Sequence, residues 1–189
     1  PERLQKGIVC ASAGNHAQGV AFSCNKLKIM GSIFMPTTTP KQKIEQVRMF
    51  GKEYIDIVLT GDTFDAANAA AIEYAKKSGK TFIPPFDDQK IIEGQGTIGY
   101  EILSQVKQAP DYVFVPIGGG GLASGVGAYI KTLSPKTKVI GVEPAGAPCM
   151  KVAIEKGEVI ELDHINKFVD GAAVKKAGKL TYEICKDVL

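Results

Sequence analysis

The stretch Tyr112-Val113-Phe114-Val115-Pro116-Ile117-Gly118-Gly119-Gly120-Gly121-Leu122-Ala123 decides the fold class of this 189-residue chain. Its β-branched and aromatic start reads as a strand, and the residues from about 122 to 133 read as a helix. Four consecutive glycines, Gly118 to Gly121, join the two. A strand feeding glycines into a helix N-terminus puts several backbone N–H groups and the positive end of a helix dipole at one point. That arrangement suits an anion, phosphate above all, and the missing side chains admit close approach. Ordering four glycines also costs conformational entropy, which argues against a loop that merely connects.

The same alternation continues outward. Towards the C-terminus a strand is expected at 138–142, a helix around 150–156, a short strand at 170–176 and a last helix from about Lys179. Towards the N-terminus a helix around 96–106 follows the double proline Pro84-Pro85. Before the prolines come a strand at 8–10, a helix at 15–28 and a strand at 29–35 stopped by Pro36. A helix then opens with Thr39 at its N-cap and Pro40 at its first position, and stops at Gly51. A strand at 54–59, an alanine-rich helix at 62–77 ending at Gly79, and a strand at 81–83 complete this part. Strands alternating with helices predict an α/β fold, with parallel sheets carrying helices on both faces. The proline break predicts two lobes with a cleft between them, 7–86 and 87–189.

Composition narrows the classes. Hydrophobic residues make up 44% and charged residues 23%, and the net charge of +3 is spread along the chain. Neither nucleic acid nor a membrane surface is expected as a partner. No apolar run approaches the roughly 20 residues of a membrane helix. Cys10, Cys24, Cys149 and Cys185 form no CxxC pair, so free thiols in a reducing cytoplasm are expected. Two histidines leave little for a His-rich metal site. The chain lacks an initiator methionine and a targeting pattern, and its last residues read as helix, so it is expected to be an excerpt of a longer protein.

Two ligand readings compete at the glycine run. Gly118-x-Gly120-x-x-Ala123 satisfies a dinucleotide fingerprint, and Glu143, closing the next strand, stands at a spacing that would hold a ribose hydroxyl. An NAD-dependent oxidoreductase is therefore an alternative. Against it stands the loop Cys10-Ala11-Ser12-Ala13-Gly14-Asn15-His16-Ala17-Gln18-Gly19, which also leaves a strand and enters a helix. A second set of helix-start N–H groups, with a hydroxyl and an amide, suits a carboxylate and a ring oxygen. Taken singly, Ser12 and Asn15 could each be a helix cap and His16 a packed or solvent-facing ring.

Together the motifs carry a resemblance. Ser12 to Gly19, Pro36-x-x-x-Pro40-x-x-Lys43, Glu93-Gly94-Gln95-Gly96-Thr97 and Gly118 to Leu122 resemble the fold type II pyridoxal-phosphate enzymes, which are two-lobed and tryptophan synthase β-like. Phe168-Val169-Asp170-Gly171-Ala172-Ala173-Val174-Lys175 narrows the resemblance to the biosynthetic threonine dehydratase (threonine ammonia-lyase) family, from about Gly7 to the last residue. The resemblance implies pyridoxal 5'-phosphate as cofactor, with Asn15 on its ring hydroxyl and Gly118, Gly119, Gly120, Gly121 and Leu122 around its phosphate. Ser12, Gly14 and His16 would receive the substrate carboxylate, largely through backbone N–H groups. The 7–86 lobe would be small and mobile, and the rest part of an incomplete large domain. The implied reaction converts L-threonine to 2-oxobutanoate and ammonia, for isoleucine biosynthesis, with L-serine a slower substrate. Relatives imply a cytoplasmic homo-oligomer.

The chain also departs from the pattern. The family's cofactor-linking lysine belongs to an upstream Phe-Lys-x-Arg-Gly-Ala motif, and no lysine here has that context; the 189 residues alone are expected to be inactive. The downstream serine or threonine that contacts the pyridine nitrogen is missing too. Serine racemases of the family carry a serine where this chain has Ala13, so racemisation is not expected. Of their Glu-x-x-x-Ala-x-Asp cation motif, Glu143 and Ala147 match and Cys149 replaces the aspartate; a thiol is a poor ligand for hard cations, and no metal is expected. A non-catalytic cofactor-binding homologue, or another fold type II enzyme such as a serine dehydratase, remains the alternative.

Overall fold

Strand β1 (Ile8–Ala11) has no solvent-facing side: all four residues are buried. Such a strand needs apolar cover on both faces, and the N-terminal unit supplies it. The computed structural model describes residues 4–166, 168–169 and 171–189. They divide into two compact units, with the boundary between Pro85 and Phe86.

In the first unit β2 (Gly31–Met35), β3 (Ile55–Leu59) and β4 (Thr81–Phe82) join β1 in a parallel sheet of order β3-β2-β1-β4. Alternation along the strands sorts the side chains. Ile8, Cys10, Ile33 and Met35 pack with Ala17, Val20, Ala21 and Cys24 of α1 (Asn15–Leu27) and Val47 of α2 (Lys41–Gly51). Val9, Ala11 and Phe34 pack with Ala71 and Ala75 of α3 (Phe64–Ser78). The chain steps outward from β1 to β2 and β3, then α3 carries it back to β4 on the other side of β1. The reversal makes the carboxyl ends of β1 and β4 a topological switch point, where open α/β sheets bind ligands.

One cap reading changes. Thr39 does not cap α2. Its N–H bonds Pro36 O in a tight turn at 3.0 Å, which leaves Pro40 at the cap, with no side-chain capping bond. Thr63 does cap α3, accepting Ala66 N–H at 3.2 Å, and Gly79 ends that helix at φ +68°.

In the second unit β5 (Tyr112–Pro116) and β6 (Lys138–Val142) form a parallel pair. Val115, Ile117 and Val139 pack with Ala123, Val126 and Ile130 of α5 (Gly121–Leu133), Met150 of α6 (Cys149–Lys156), and Tyr182 and Cys185 of α7 (Lys179–Val188). Helix α4 (Gln89–Gln105) starts seven residues before the expected Gly96, because Asp88 caps it: its Oδ1 accepts Lys90 N–H at 2.8 Å and Ile91 N–H at 3.3 Å. Gly96 is inside the helix, where α4 meets α5: a Cβ there would stand 3.3 Å from Gly125 O. Over residues 171–176 the expected strand from 170 to 176 does not form. Asp170 lies outside the described residues, and the described part is irregular except for an isolated antiparallel bridge between Lys176 and Glu161.

One face of the β5–β6 pair is bare. Tyr112 lies opposite Lys138, Phe114 opposite Ile140 and Pro116 opposite Val142, and all six are exposed, Phe114 at 68%. Parallel sheets are ordinarily covered on both faces, and contiguous apolar surface of this kind drives association. The 189-residue chain by itself is therefore expected to bind a hydrophobic dye and to self-associate in ultracentrifugation. Phe114→Lys with Ile140→Lys should reduce both; unchanged dye binding in the double variant would contradict this.

Candidate functional site

The glycine loop is organised by its carbonyls. Gly118 O accepts the Cys149 thiol at 3.4 Å. Gly119 O accepts the Thr181 hydroxyl at 2.6 Å and Gly178 N–H at 3.2 Å. Gly120 O accepts Ser124 N–H at 2.9 Å, with the Cys185 thiol 3.9 Å away. In a planar trans peptide the C=O and the following N–H point in opposite directions. Tying three successive carbonyls into the unit therefore turns the N–H groups of Gly119, Gly120 and Gly121 the other way. The first-turn N–H groups of α5 have no intrahelical acceptor either. The result is a cluster of donors with a helix dipole behind it, a fit for a phosphate dianion.

The requirement for glycine has an additional origin, in packing. A Cβ on Gly119 would run into the Phe86 ring, and one on Gly121 would stand 3.0 Å from Phe86 Cβ. Gly120, the α5 cap at φ +98°, would meet Met150 Cε at 2.6 Å and Thr181 Cβ at 2.8 Å. The loop's own packing, beyond any ligand's approach, excludes side chains.

Glu143 is engaged elsewhere. Its carboxylate caps α6, accepting Met150 N–H and Lys151 N–H, each at 2.8 Å, so both oxygens have work apart from a ribose hydroxyl. Beside it the Cys149 thiol is pushed up to about 12 by burial and by the Glu143 charge, and it stays protonated as donor to Gly118 O. All four cysteines are free and buried. Among the described residues no three His, Cys, Asp or Glu side chains converge as a metal site would require.

In the first unit Ser12, Gly14, Asn15 and His16 follow β1 at the switch point. Ser12 Oγ accepts Gly14 N–H at 3.1 Å and shapes the turn. Gly14 occupies the α1 cap position with no side-chain capping bond, so Asn15 is not the cap; its side chain is exposed. The N–H groups of Asn15, His16 and Ala17 form the open first turn of α1. The His16 ring is half-buried and donates from Nε2 to Ile83 O, just past β4, at 3.3 Å. It thus ties the two strand ends at the switch point, and its ring belongs to the scaffold. Burial pulls its pKa below the ordinary range, against the opposing effect of the Ile83 bond. Sequence reasoning missed Phe86, Asp87, Thr181 and Ser124, which support the glycine loop from behind.

Two measurements check these assignments. Without ligand, Gly119→Ala should cost about 1–3 kcal/mol of unfolding free energy, as overpacking does, and much less in a Phe86→Leu background; equal costs in both would remove Phe86 as the cause. The second concerns pH. Below about 6.5 the unfolded chain protonates His16 while the fold resists. The contribution is present above that pH and lost as pH falls towards the lowered folded value. Urea midpoints should drop more between pH 7 and 5 for the native protein than for His16→Gln.

The family model described as pyridoxal-phosphate dependent enzyme matches residues 2–189. The chain is 62% identical over 188 residues to a Halalkalibacterium halodurans protein named L-threonine dehydratase biosynthetic IlvA, covering 100% of this chain and 45% of that relative. It superposes on the processed form of threonine deaminase isoform 2 from Solanum lycopersicum with a TM-score of 0.92 at 47% identity, covering 100% of this chain and 54% of that one. On maize serine racemase the TM-score is 0.90 at 31% identity, covering 100% and 56%. The chain thus spans about half the length of the relatives it matches. On this evidence it belongs to the pyridoxal-phosphate dependent enzyme family, with the α/β fold of its fold type II members.

Proposed function

We propose that the full-length protein carrying this chain deaminates L-threonine to 2-oxobutanoate and ammonia, with L-serine a slower substrate and pyridoxal 5'-phosphate as cofactor. The observation that carries this is the inward-tied glycine loop, in a chain 62% identical to a named L-threonine dehydratase. The cofactor, when bound, supplies an electron sink for the pair left by the departing α-proton.

The chain's own residues then divide the work. Gly118 to Gly121 and Leu122 hold the phosphate through backbone N–H groups, and those of Gly119, Gly120 and Gly121 need no reorganisation because the carbonyls just before them are already tied. Asn15, exposed and free of a capping role, offers its carboxamide to the ring hydroxyl. The turn of Ser12 and Gly14, with the first N–H groups of α1 at Asn15 and His16, receives the substrate carboxylate. His16 contributes its backbone there, since its ring is held by Ile83. Cytoplasmic location and homo-oligomeric assembly belong to the same reading.

Serine racemisation is the competing reading, favoured by the likeness to the maize enzyme. Ala13 offers no hydroxyl on the β1–α1 loop for that chemistry. Full-length protein supplied with pyridoxal 5'-phosphate should release 2-oxobutanoate from L-threonine. Asn15→Ala should lower kcat/KM by about tenfold, the worth of one well-placed hydrogen bond. Absence of oxo acid from both threonine and serine, with cofactor bound, would overturn the dehydratase reading in favour of a non-catalytic homologue. D-serine formed from L-serine would favour the racemase.

A further inference from the structure

Thr181 lies 62 residues beyond Gly119 in sequence, on another helix, and is fully buried. Its hydroxyl has one proton and two acceptors in reach, Gly119 O at 2.6 Å and Gly178 O at 3.2 Å. The shorter contact takes the proton. Gly178 N–H reaches the same Gly119 O at 3.2 Å, so the cap residue of α7 and Thr181 in its first turn grip this carbonyl twice. The N-terminus of α7 is itself held by Asp87: Oδ2 accepts Lys179 N–H at 3.0 Å, and Oδ1 accepts Leu180 N–H at 2.9 Å and Thr181 N–H at 3.2 Å. From the other side Ser124 Oγ, on α5, donates to Thr181 O at 3.1 Å. Asp87 follows Phe86, whose ring stands against Gly119. With its N–H and its C=O both held, the buried Thr181 backbone gives its hydroxyl a fixed base from which to hold Gly119 O.

We propose that Thr181 is a positioning residue for the phosphate: by holding Gly119 O inward, on a helix end anchored by Asp87, it keeps the Gly120 N–H turned towards the phosphate of the cofactor. The proposal rests on the phosphate reading of the glycine loop. Without the hydroxyl the Gly119–Gly120 peptide keeps only the longer bond from Gly178 N–H at 3.2 Å and rotates more easily, because glycine tolerates either orientation. The phosphate then loses a donor whose direction was set before binding. Thr181 touches no ligand in this account and acts through the peptide it holds.

The test uses the full-length protein with three variants. Thr181→Val keeps the shape and removes the hydroxyl, Thr181→Ser keeps the hydroxyl, and Asp87→Asn leaves the latch packed but weakens its anchor. Binding of pyridoxal 5'-phosphate and of pyridoxal, which lacks the phosphate, is measured by absorbance titration, and the bound phosphate is observed by 31P NMR. Thr181→Val should weaken pyridoxal 5'-phosphate by about tenfold, the equivalent of one hydrogen bond, with pyridoxal unchanged and the 31P resonance moved. Thr181→Ser should restore both values, and Asp87→Asn should give a smaller loss of the same kind. A Thr181→Val protein with lowered melting temperature but native phosphate affinity and 31P shift would overturn the proposal and leave Thr181 a packing residue. If Thr181→Val does not fold, Asp87→Asn decides: equal loss for both ligands overturns the proposal, and loss confined to the phosphorylated one supports it. A native protein that binds the two ligands equally would sink the phosphate reading itself, a different failure from native-like variants.

Discussion

A trans peptide cannot show its carbonyl and its N–H to the same side, and the glycine loop depends on that constraint. Three carbonyls in a row are taken by the unit's own donors: Cys149 at Gly118, Thr181 and Gly178 at Gly119, Ser124 at Gly120. What remains facing outward is donor only. The supporting elements depend in turn on a short stretch after the prolines. Phe86 fills the space that side chains at positions 119 and 121 would need, Asp87 anchors α7 and Asp88 starts α4. Two adjacent carboxylates thus begin two helices, each satisfying N–H groups that would otherwise lack partners. Helix α7 carries Thr181, which holds Gly119 O, and α4 packs against α5, which continues from the loop.

The N-terminal unit solves a related problem with its topology. The order β3-β2-β1-β4 places the end of β1 where the chain reverses direction across the sheet. The Ser12 and Gly14 N–H groups of the loop leaving that point are taken by Phe34 O and Ser12 Oγ, so the donors left over are those of the open first turn of α1. His16 braces the point by reaching Ile83. A ring held neutral by burial suits this, because the imidazole then keeps one donor for the carbonyl without bringing a buried charge.

Features carried by local chemistry were legible in the sequence. The strand–glycine–helix passage, the alternation of elements and the Ser12 to His16 turn all follow from neighbours along the chain. The start of α4 was not legible: Asp88 stands just before Gln89 and Lys90, but Gly94 and Gly96 argue against helix and shift its expected start. Gly96 is tolerated because α5 approaches it at Gly125, a fact of packing. The reason for glycine at 119 and 121 was hidden similarly, because nothing local says that Phe86 occupies the space. The His16–Ile83 and Thr181–Gly119 bonds join residues 67 and 62 apart. They exist only once β4 and α7 are in place, so no spacing or pattern announces them.

The central claim is that donors from Gly119 to Gly121 receive the phosphate. The most direct measurement is an amide NMR titration of the full-length protein, labelled with 15N at glycine, with pyridoxal 5'-phosphate. The account predicts large downfield amide proton shifts at Gly119, Gly120 and Gly121, with Gly99 and Gly127, in the helices behind, little changed. Unmoved loop resonances in a protein that has bound the cofactor would contradict it.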